Sequence, residues 1–520
     1  MKKDIIVAGT GCAGLIAALA AERKGAEVLL VDRGPLGIGS NSAMANGVFA
    51  GLGKTYTAET YARDTIEIGK EINNPAYVDI VAKGILPAID VLRSHGVIVE
   101  ESDGVFVVRP GRRDLARGID LMRKLASAVQ SRPGIDLLRG FSVTKIIVEG
   151  GRVAGITGID MKGTERVMAS SSVVLATGGA GAIYSRNDNQ KKILGQSFRL
   201  AANAGCDLWD MEFVQFYPLV ICEPTLPSMM VYPPYPREVR LYNHLGEDIT
   251  KKHGVESLNE LIRFKRDELS LLIFKEGERG PVTMDFTGVP PDGWNRYPLP
   301  FMEKMKFDFR RRPFVVSPGA HFFMGGIRTD DRGMTSVPGL FACGEAVWGL
   351  HGANRRGGNA LTECIVSGMI AGRNATGESS TATAPLSKME VPESVSLLQF
   401  KPADLRELRG RIRRIAWECG GVVRHEEGLS RGLLELDEID SLLKKATFID
   451  PKEKLERVDV EAASLTLRAI LTASIERKES RGAFRRSDYT EQEDAQWLCN
   501  SCLRYNRVDG TFSVSHHKIE

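Results

Sequence analysis

The sequence predicts an α/β fold in which a parallel-sheet domain is split in two by an inserted segment and followed by a helical C-terminal domain. Three observations carry this. Asp4 to Ala8 (DIIVA) is an apolar run that passes at once into Gly9-Thr10-Gly11-Cys12-Ala13-Gly14 and then into the small helix formers LIAALAAERKG. Ser172 to Ala176 is a second buried-strand run, ending in Thr177-Gly178-Gly179-Ala180-Gly181. His321 to Glu363 then packs His321, Glu345, His351, Arg355 and two glycine clusters between short apolar runs, a density of reactive groups that ordinary core segments do not carry.

The first element reads as strand, glycine turn, helix. Gly9 permits the tight turn, Gly11 lets the backbone approach a pyrophosphate, and Gly14 allows close helix-to-strand packing, with phosphates resting on the helix N-terminus beside Cys12 and Ala13. A following strand, Glu27 to Val31, ends in Asp32, eighteen residues after Gly14, where a carboxylate is placed to bond a ribose hydroxyl; Arg33 follows it. A GxGxxG alone is a weak signal, but here strand, helix and terminal acid stand in register, which is a Rossmann-like dinucleotide site. The second glycine turn, Ala176 to Gly179, lies where the backbone passes close to the same ligand, and a long contact path favours FAD over NAD.

Composition agrees. A chain of 520 residues holds two to four domains at roughly 150 residues each, and 43% apolar residues suffice for their cores. The 54 glycines exceed the usual share of about 7%, as expected of a protein that brings backbone close to a large ligand. Net charge is +3 with basic residues spread throughout, so nucleic acid is not an expected partner. Apolar runs fall short of the roughly 20 residues of a membrane span. The early first strand and eight scattered cysteines point to the cytoplasm. Cys499 and Cys502 form one CxxC without a partner pair, too little for a four-thiolate metal site, and no metal is expected.

Seven ordered segments, GTGCAG, VVLATGGAG, DMEFVQF, AHFFMGGIRTD, PGLFACGE, HGANRRGGNALTE and ERKESRGAF, resemble the flavoprotein subunits of succinate dehydrogenase and fumarate reductase, a family that includes L-aspartate oxidase and soluble fumarate reductases. The resemblance runs over nearly the whole chain. It implies an FAD-binding domain at 1–216 and 322–375, interrupted by a capping domain at 217–321 that is rich in proline and charge. A linker at 376–395 (TGESSTATAPLSKMEVP and beyond) is small and polar. A helical domain at 396–489 shows apolar spacing at Leu405, Leu408, Ile412 and Ile415. Residues 490–520 are polar and read as a partly ordered tail.

The resemblance also implies roles. Arg355, in HGANR, matches the clamp on a substrate carboxylate, which a guanidinium fork meets in one plane; His321 matches a second carboxylate-binding residue. The proton-transfer residue is an arginine in a stretch resembling GRDVV; Arg266 is the better match because Asp267 follows it, and Arg263 remains open. Glu345, in ACGEA, is expected to bond flavin ribityl or ribose hydroxyls, and Asn359, Ala360 and Leu361 to meet the isoalloxazine. In respiratory members a histidine in a stretch like SHTxxAQGG bonds FAD covalently; here Ser40, Asn41, Ser42, Asn46 and Gly47 occupy that stretch and Asn41 replaces the histidine, so noncovalent FAD is expected.

Departures from the pattern concern the far end of the substrate. Tyr217 stands where dicarboxylate-using members carry histidine, and Val231 and Tyr232 fall where they carry a Thr-Glu pair. Gln196-Ser197 replaces an Asp-Gly, and Phe484 a histidine. With Met229, Met230 and Tyr235 nearby, this stretch suits a larger or less charged group. The expected activity is interconversion of a C–C single and double bond next to a carboxylate or similar acyl group, not optimised for fumarate and succinate. The alternatives are an L-aspartate-oxidase-like or adenylylsulfate-reductase-like flavoenzyme, and a flavin electron-transfer subunit of an iron–sulfur complex. An iron–sulfur or other electron-transfer subunit is the expected partner.

Overall fold

Five parallel strands form the first sheet of the computed structural model, in the order Leu340–Ala342, Val173–Leu175, Ile5–Ala8, Val28–Asp32, Ile135–Arg139. The structure describes residues 3–53, 55–102, 104–378, 404–446 and 450–519. The three central strands are buried along their whole length or all but the last residue, because helices cover both faces of a parallel sheet and leave no room for polar alternation. The helix Cys12–Glu22 follows the first strand so tightly that a Cβ on Gly14 would lie 2.0 Å from Gly9 O. The late helix Asn359–Glu378 packs along it equally closely, a Cβ on Gly372 falling 2.1 Å from Ala17 O. That contact returns the end of the split domain to its beginning.

Between the two parts the chain builds a separate antiparallel sheet, ordered Val214–Ile221, Phe314–Phe323, Val282–Asp285, Arg240–Tyr242. It encloses its own apolar core, including Leu219, Ile221, Leu241, Ile273, Met284 and Phe314. Its first and last-entered strands, Val214–Ile221 and Phe314–Phe323, are also the segments by which the insertion leaves and rejoins the first domain. Residues from both therefore face the junction.

The helices Leu405–Gly420, Glu426–Lys445 and Pro451–Glu476 form the C-terminal layer. Leu405, Leu408, Ile412 and Ile415 all face inward. Most of the expected linker, with residues up to 403, lies outside the described residues; its first three residues continue the helix Asn359–Glu378.

The expected tail is corrected by the structure. Residues 490–520 include the short helix Asp494–Trp497 and a hairpin of Cys499–Asn506 and Thr511–Lys518. The hairpin continues a second small sheet in the order Gly326–Ile327, Leu208–Trp209, Cys499–Asn506, Thr511–Lys518. Polarity misled because the polar groups are buried with partners: Asn500 Nδ2 and Ser501 N donate to Asp210 at 2.7 Å each. Ser501 Oγ donates to Glu212 at 2.7 Å, and Arg477 to Cys499 O at 2.8 Å. Cys499 and Cys502 are free and buried in this hairpin. Among the described residues no helix is long and apolar enough to cross a membrane.

Candidate active site

The carboxyl ends of the parallel strands, where open α/β sheets bind ligands, bring three sequence motifs together. Gly9 to Gly14 follows Ile5–Ala8, Ala176 to Gly179 follows Val173–Leu175, and Glu345 follows Leu340–Ala342. A Cβ on Gly9 would strike Ala176 O at 2.3 Å, whereas one on Gly11 would meet only Ser40 and Ser42 side chains, at 3.6 and 3.8 Å. Gly9 is thus needed for packing and Gly11 leaves an open approach. Gly11 caps its helix without a side-chain bond, and with Cys12 N taken by Ser42 Oγ the amides of Ala13 and Gly14 remain for an anion. These observations fit a dinucleotide pyrophosphate.

Several expected cofactor residues hold this scaffold through their side chains. Asp32, expected to bond a ribose hydroxyl, also accepts from Thr10 N and Oγ1 at 2.8 and 2.6 Å and from Gly34 N at 2.6 Å, and so builds the turn. Ser42 accepts from Cys12 N at 3.2 Å, Ser40 donates to Gly37 O at 2.6 Å, and Thr177 pairs with Ser197 at 2.6 Å. Arg33 corrects its expectation: it turns away to Asp459 on the long C-terminal helix, which also accepts from Gln196 at 2.9 Å, because a buried carboxylate there requires a cation. Asn359 is fully buried with Nδ2 3.5 Å from Thr65 Oγ1, and its side chain does not reach the cavity.

An open cavity of about 1630 Å³ lies between the first domain and the insertion. Asn41, Ser42, Asn46, Gly47, Glu345, Ala360 and Leu361 line it together with Tyr217, Arg266, His321 and Arg355. Burial raises Glu345 to about 7. Asn41 donates to Asn189 Oδ1 at 2.5 Å and accepts from Gln190 N at 2.9 Å, so the residue in the place of the family's attaching histidine is part of the wall.

The two arginines meet at a residue that sequence reading passed over. Arg355 Nε donates to Gln215 Oε1 at 3.1 Å and Arg266 to the same oxygen at 3.3 Å. Gln215 lies on the buried strand Val214–Ile221, and its amide donates to Asn354 Oδ1 and Arg355 O at 3.2 Å each. A neutral amide orients both guanidinium groups without neutralising them, which leaves their charge for a ligand anion. Burial, then Arg266, brings Arg355 down to about 9, and burial lowers Arg266. Among the described residues the terminal nitrogens of Arg355 have no hydrogen-bond acceptor. Arg266 opens the helix Arg266–Gly277 and is partly buried, whereas Arg263 is exposed on the preceding short helix. The signal for Gln215 was present in DMEFVQF, but a glutamine in an apolar run offers no chemistry of its own to notice.

At the far end, His321 Nδ1 lies 2.8 Å from Asp188 Oδ2. Burial lowers the imidazole's pKa while Asp188 opposes the shift. Tyr217 does not act as a polar substitute for histidine: its hydroxyl donates to Val231 O at 2.9 Å and lies 3.0 Å from Tyr235 Oη, so the cavity receives its ring. Burial pushes Tyr217 up to about 12. The Tyr232 hydroxyl donates to Met44 O, fastening the insertion onto the Asn41–Met44 turn. Phe484 is fully buried against Phe213 and Arg424, outside the cavity.

Residues 4–361 match the FAD binding domain family, and residues 409–520 match the fumarate reductase flavoprotein C-terminal family. The chain is 32% identical to L-aspartate oxidase of Agrobacterium fabrum, over 94% of this chain and 91% of the relative. It is 28% identical to an uncharacterized FAD-dependent oxidoreductase of Methanocaldococcus jannaschii, over 98% and 97%. The fold superposes on FrdA of E. coli quinol fumarate reductase with a TM-score of 0.86 at 25% identity, covering 100% of this chain and 97% of that one.

Proposed function

Because the chain belongs to the FAD-binding family and ends in the fumarate reductase flavoprotein C-terminal region, we propose that this FAD-dependent oxidoreductase interconverts a C–C single and double bond next to a carboxylate. Bound FAD supplies the hydride donor or acceptor. Gly9 to Gly14 and Gly178-Gly179 would hold its phosphates and backbone-facing edge, with Asn41, Glu345, Ala360 and Leu361 around the remainder. Asn41 cannot form the family's covalent link, so FAD is held noncovalently.

Arg355 receives the substrate carboxylate, and the observation that carries this is its sharing of Gln215 with Arg266. One guanidinium holds the acid while the other stands beside it to move a proton. Arginine is a poor acid in water, with a pKa above about 12; burial beside a second cation supports its use here. His321 orients the far end of the substrate, and Tyr217, Val231 and Tyr232 form a bulky wall there that suits a group other than a second carboxylate.

The test is anaerobic. The flavoprotein is reduced with a low-potential dye, and reoxidation is followed with fumarate beside bulkier unsaturated acids and CoA thioesters. Fast reoxidation by a bulkier acid and slow reoxidation by fumarate is expected; fumarate as the best acceptor overturns the reading of the distal wall. A second reading, oxidation of an amino acid, draws on the 32% identity to an L-aspartate oxidase, and hydrogen peroxide formed from L-aspartate in air would select it. An iron–sulfur or other electron-transfer subunit is the proposed partner, on likeness to a chain of quinol fumarate reductase; co-purification of a cysteine-rich protein tests it. Eight free thiols support a cytoplasmic location.

A further inference from the structure

We infer that Asp188 is a positioning residue that fixes His321 as a hydrogen-bond acceptor toward the cavity, so that the substrate's far end carries a donor, a hydroxyl or ammonium, in place of a second carboxylate. This deepens the proposed function and rests on its premise that Arg355 holds a carboxylate.

Asp188 lies in the loop that runs beside the strand Phe314–Phe323, and the same loop grips that strand at Ala320 and at His321 itself. Asp188 N donates to Ala320 O at 3.4 Å, and Asn189 Nδ2 donates to Ala320 O and His321 O at 3.0 and 3.3 Å. The Asp188 side chain is only 6% exposed and its Oδ2 lies 2.8 Å from His321 Nδ1. An ionised carboxylate only accepts, so Nδ1 carries the proton and the neutral ring presents the lone pair of Nε2. His321 lines the cavity, and among the described residues Nε2 has no protein partner.

The charged and titratable groups around this ring are Asp188, Arg355, Arg266 and Tyr217, with Glu345 on the same cavity. Burial and both arginines disfavour the imidazolium; Asp188 favours it. A second substrate carboxylate at Nε2 would bring two carboxylates to one imidazole, which like-charge repulsion opposes. A hydroxyl or ammonium donates to Nε2 without that repulsion.

The test uses FAD-loaded protein and titrates the flavin absorbance with two sets of ligands, (E)-but-2-enoates and 3-phenylacrylates, each ending in a hydroxyl, a hydrogen or a carboxylate. The hydroxy acid is expected to bind about tenfold or more tightly than either companion, and its binding to weaken as pH falls through the His321 pKa. In Asp188→Asn the preference over the diacid should shrink by about tenfold, and the acid limb should move to lower pH because the group favouring the imidazolium is gone. In His321→Gln that limb should disappear, with FAD content reporting on folding. Equal binding of hydroxy acid and diacid, or an unmoved limb in Asp188→Asn, overturns the inference while the carboxylate reading stands. If the acids bind Arg355→Ala as tightly as the native protein, the carboxylate premise fails and takes the inference with it.

Discussion

Arg266 and Arg355, one from the insertion and one from the first domain, donate to the same oxygen, Gln215 Oε1, at 3.3 and 3.1 Å. Their relative position is therefore a property of one neutral side chain on a buried strand. Gln215→Leu should lower kcat by roughly ten- to hundredfold, the worth of hydrogen bonds to charged groups of about 1.5–3 kcal/mol, with FAD content unchanged. Steady-state kinetics beside flavin absorbance checks this, and an unaltered kcat would free the arginines from Gln215.

The distal wall can be rewritten toward its relatives. Tyr217→His with Val231→Thr and Tyr232→Glu removes the two hydroxyl bonds that fasten Tyr217 and Tyr232 and supplies polar groups in their place. Anaerobic reoxidation by fumarate should rise severalfold in the triple variant. No gain would leave those three positions without a part in specificity.

Burial raises Glu345 from its ordinary value near 4.5 to about 7. The folded protein then binds more protons than the unfolded chain between these values, so this group's penalty is absent below about 4.5 and fully present above about 7. Glu345→Gln should flatten the fall in apoprotein stability across that interval, by up to about 3 kcal/mol. Denaturant unfolding at pH 5 and pH 8 reads the difference between the two proteins.

Arg477 is fully buried and donates to Glu212 at 2.8 Å, Glu479 at 2.9 Å and the carbonyls of Trp497 and Cys499 at 2.9 and 2.8 Å. Arg477→Met leaves two buried carboxylates short of a partner and should cost about 3–5 kcal/mol. The C-terminal hairpin should become the first site of proteolysis, visible as early cleavage between the long helix and the chain end.

Asn41 binds Asn189 and Gln190 and has no ring nitrogen to bond a flavin. Acid precipitation of the holoprotein should leave the yellow colour in the supernatant. Colour in the pellet would point to attachment elsewhere.

The elements that sequence revealed are those whose local pattern and tertiary role coincide. The turn Gly9 to Gly14 and the run before Gly178 are glycine-marked because backbone meets backbone there. The hairpin Cys499–Asn506 was hidden because its polar residues are buried against Asp210 and Glu212, partners nearly three hundred residues away. Gln215 and Asp188 were hidden for the opposite reason: each is ordinary in its own segment and acquires a role only where another segment brings an arginine or a histidine to it. Arg33 shows the converse, since a motif names a position but a nearby unpaired carboxylate, Asp459, claims the side chain.

The strand Leu208–Trp209 lies between Gly326–Ile327 and Cys499–Asn506, and it leads directly to Asp210, Glu212 and the Gln215 strand. On a ribosome, the strand Cys499–Asn506 that closes this sheet emerges long after Leu208–Trp209. The segment carrying Gln215 therefore waits, with two acidic side chains lacking their final partners, through the synthesis of roughly the whole second half of the chain. A protein lacking the hairpin Cys499–Asn506 and Thr511–Lys518 would keep its cofactor motifs while leaving Asp210 and Glu212 without the partners that hold them just ahead of the Gln215 strand.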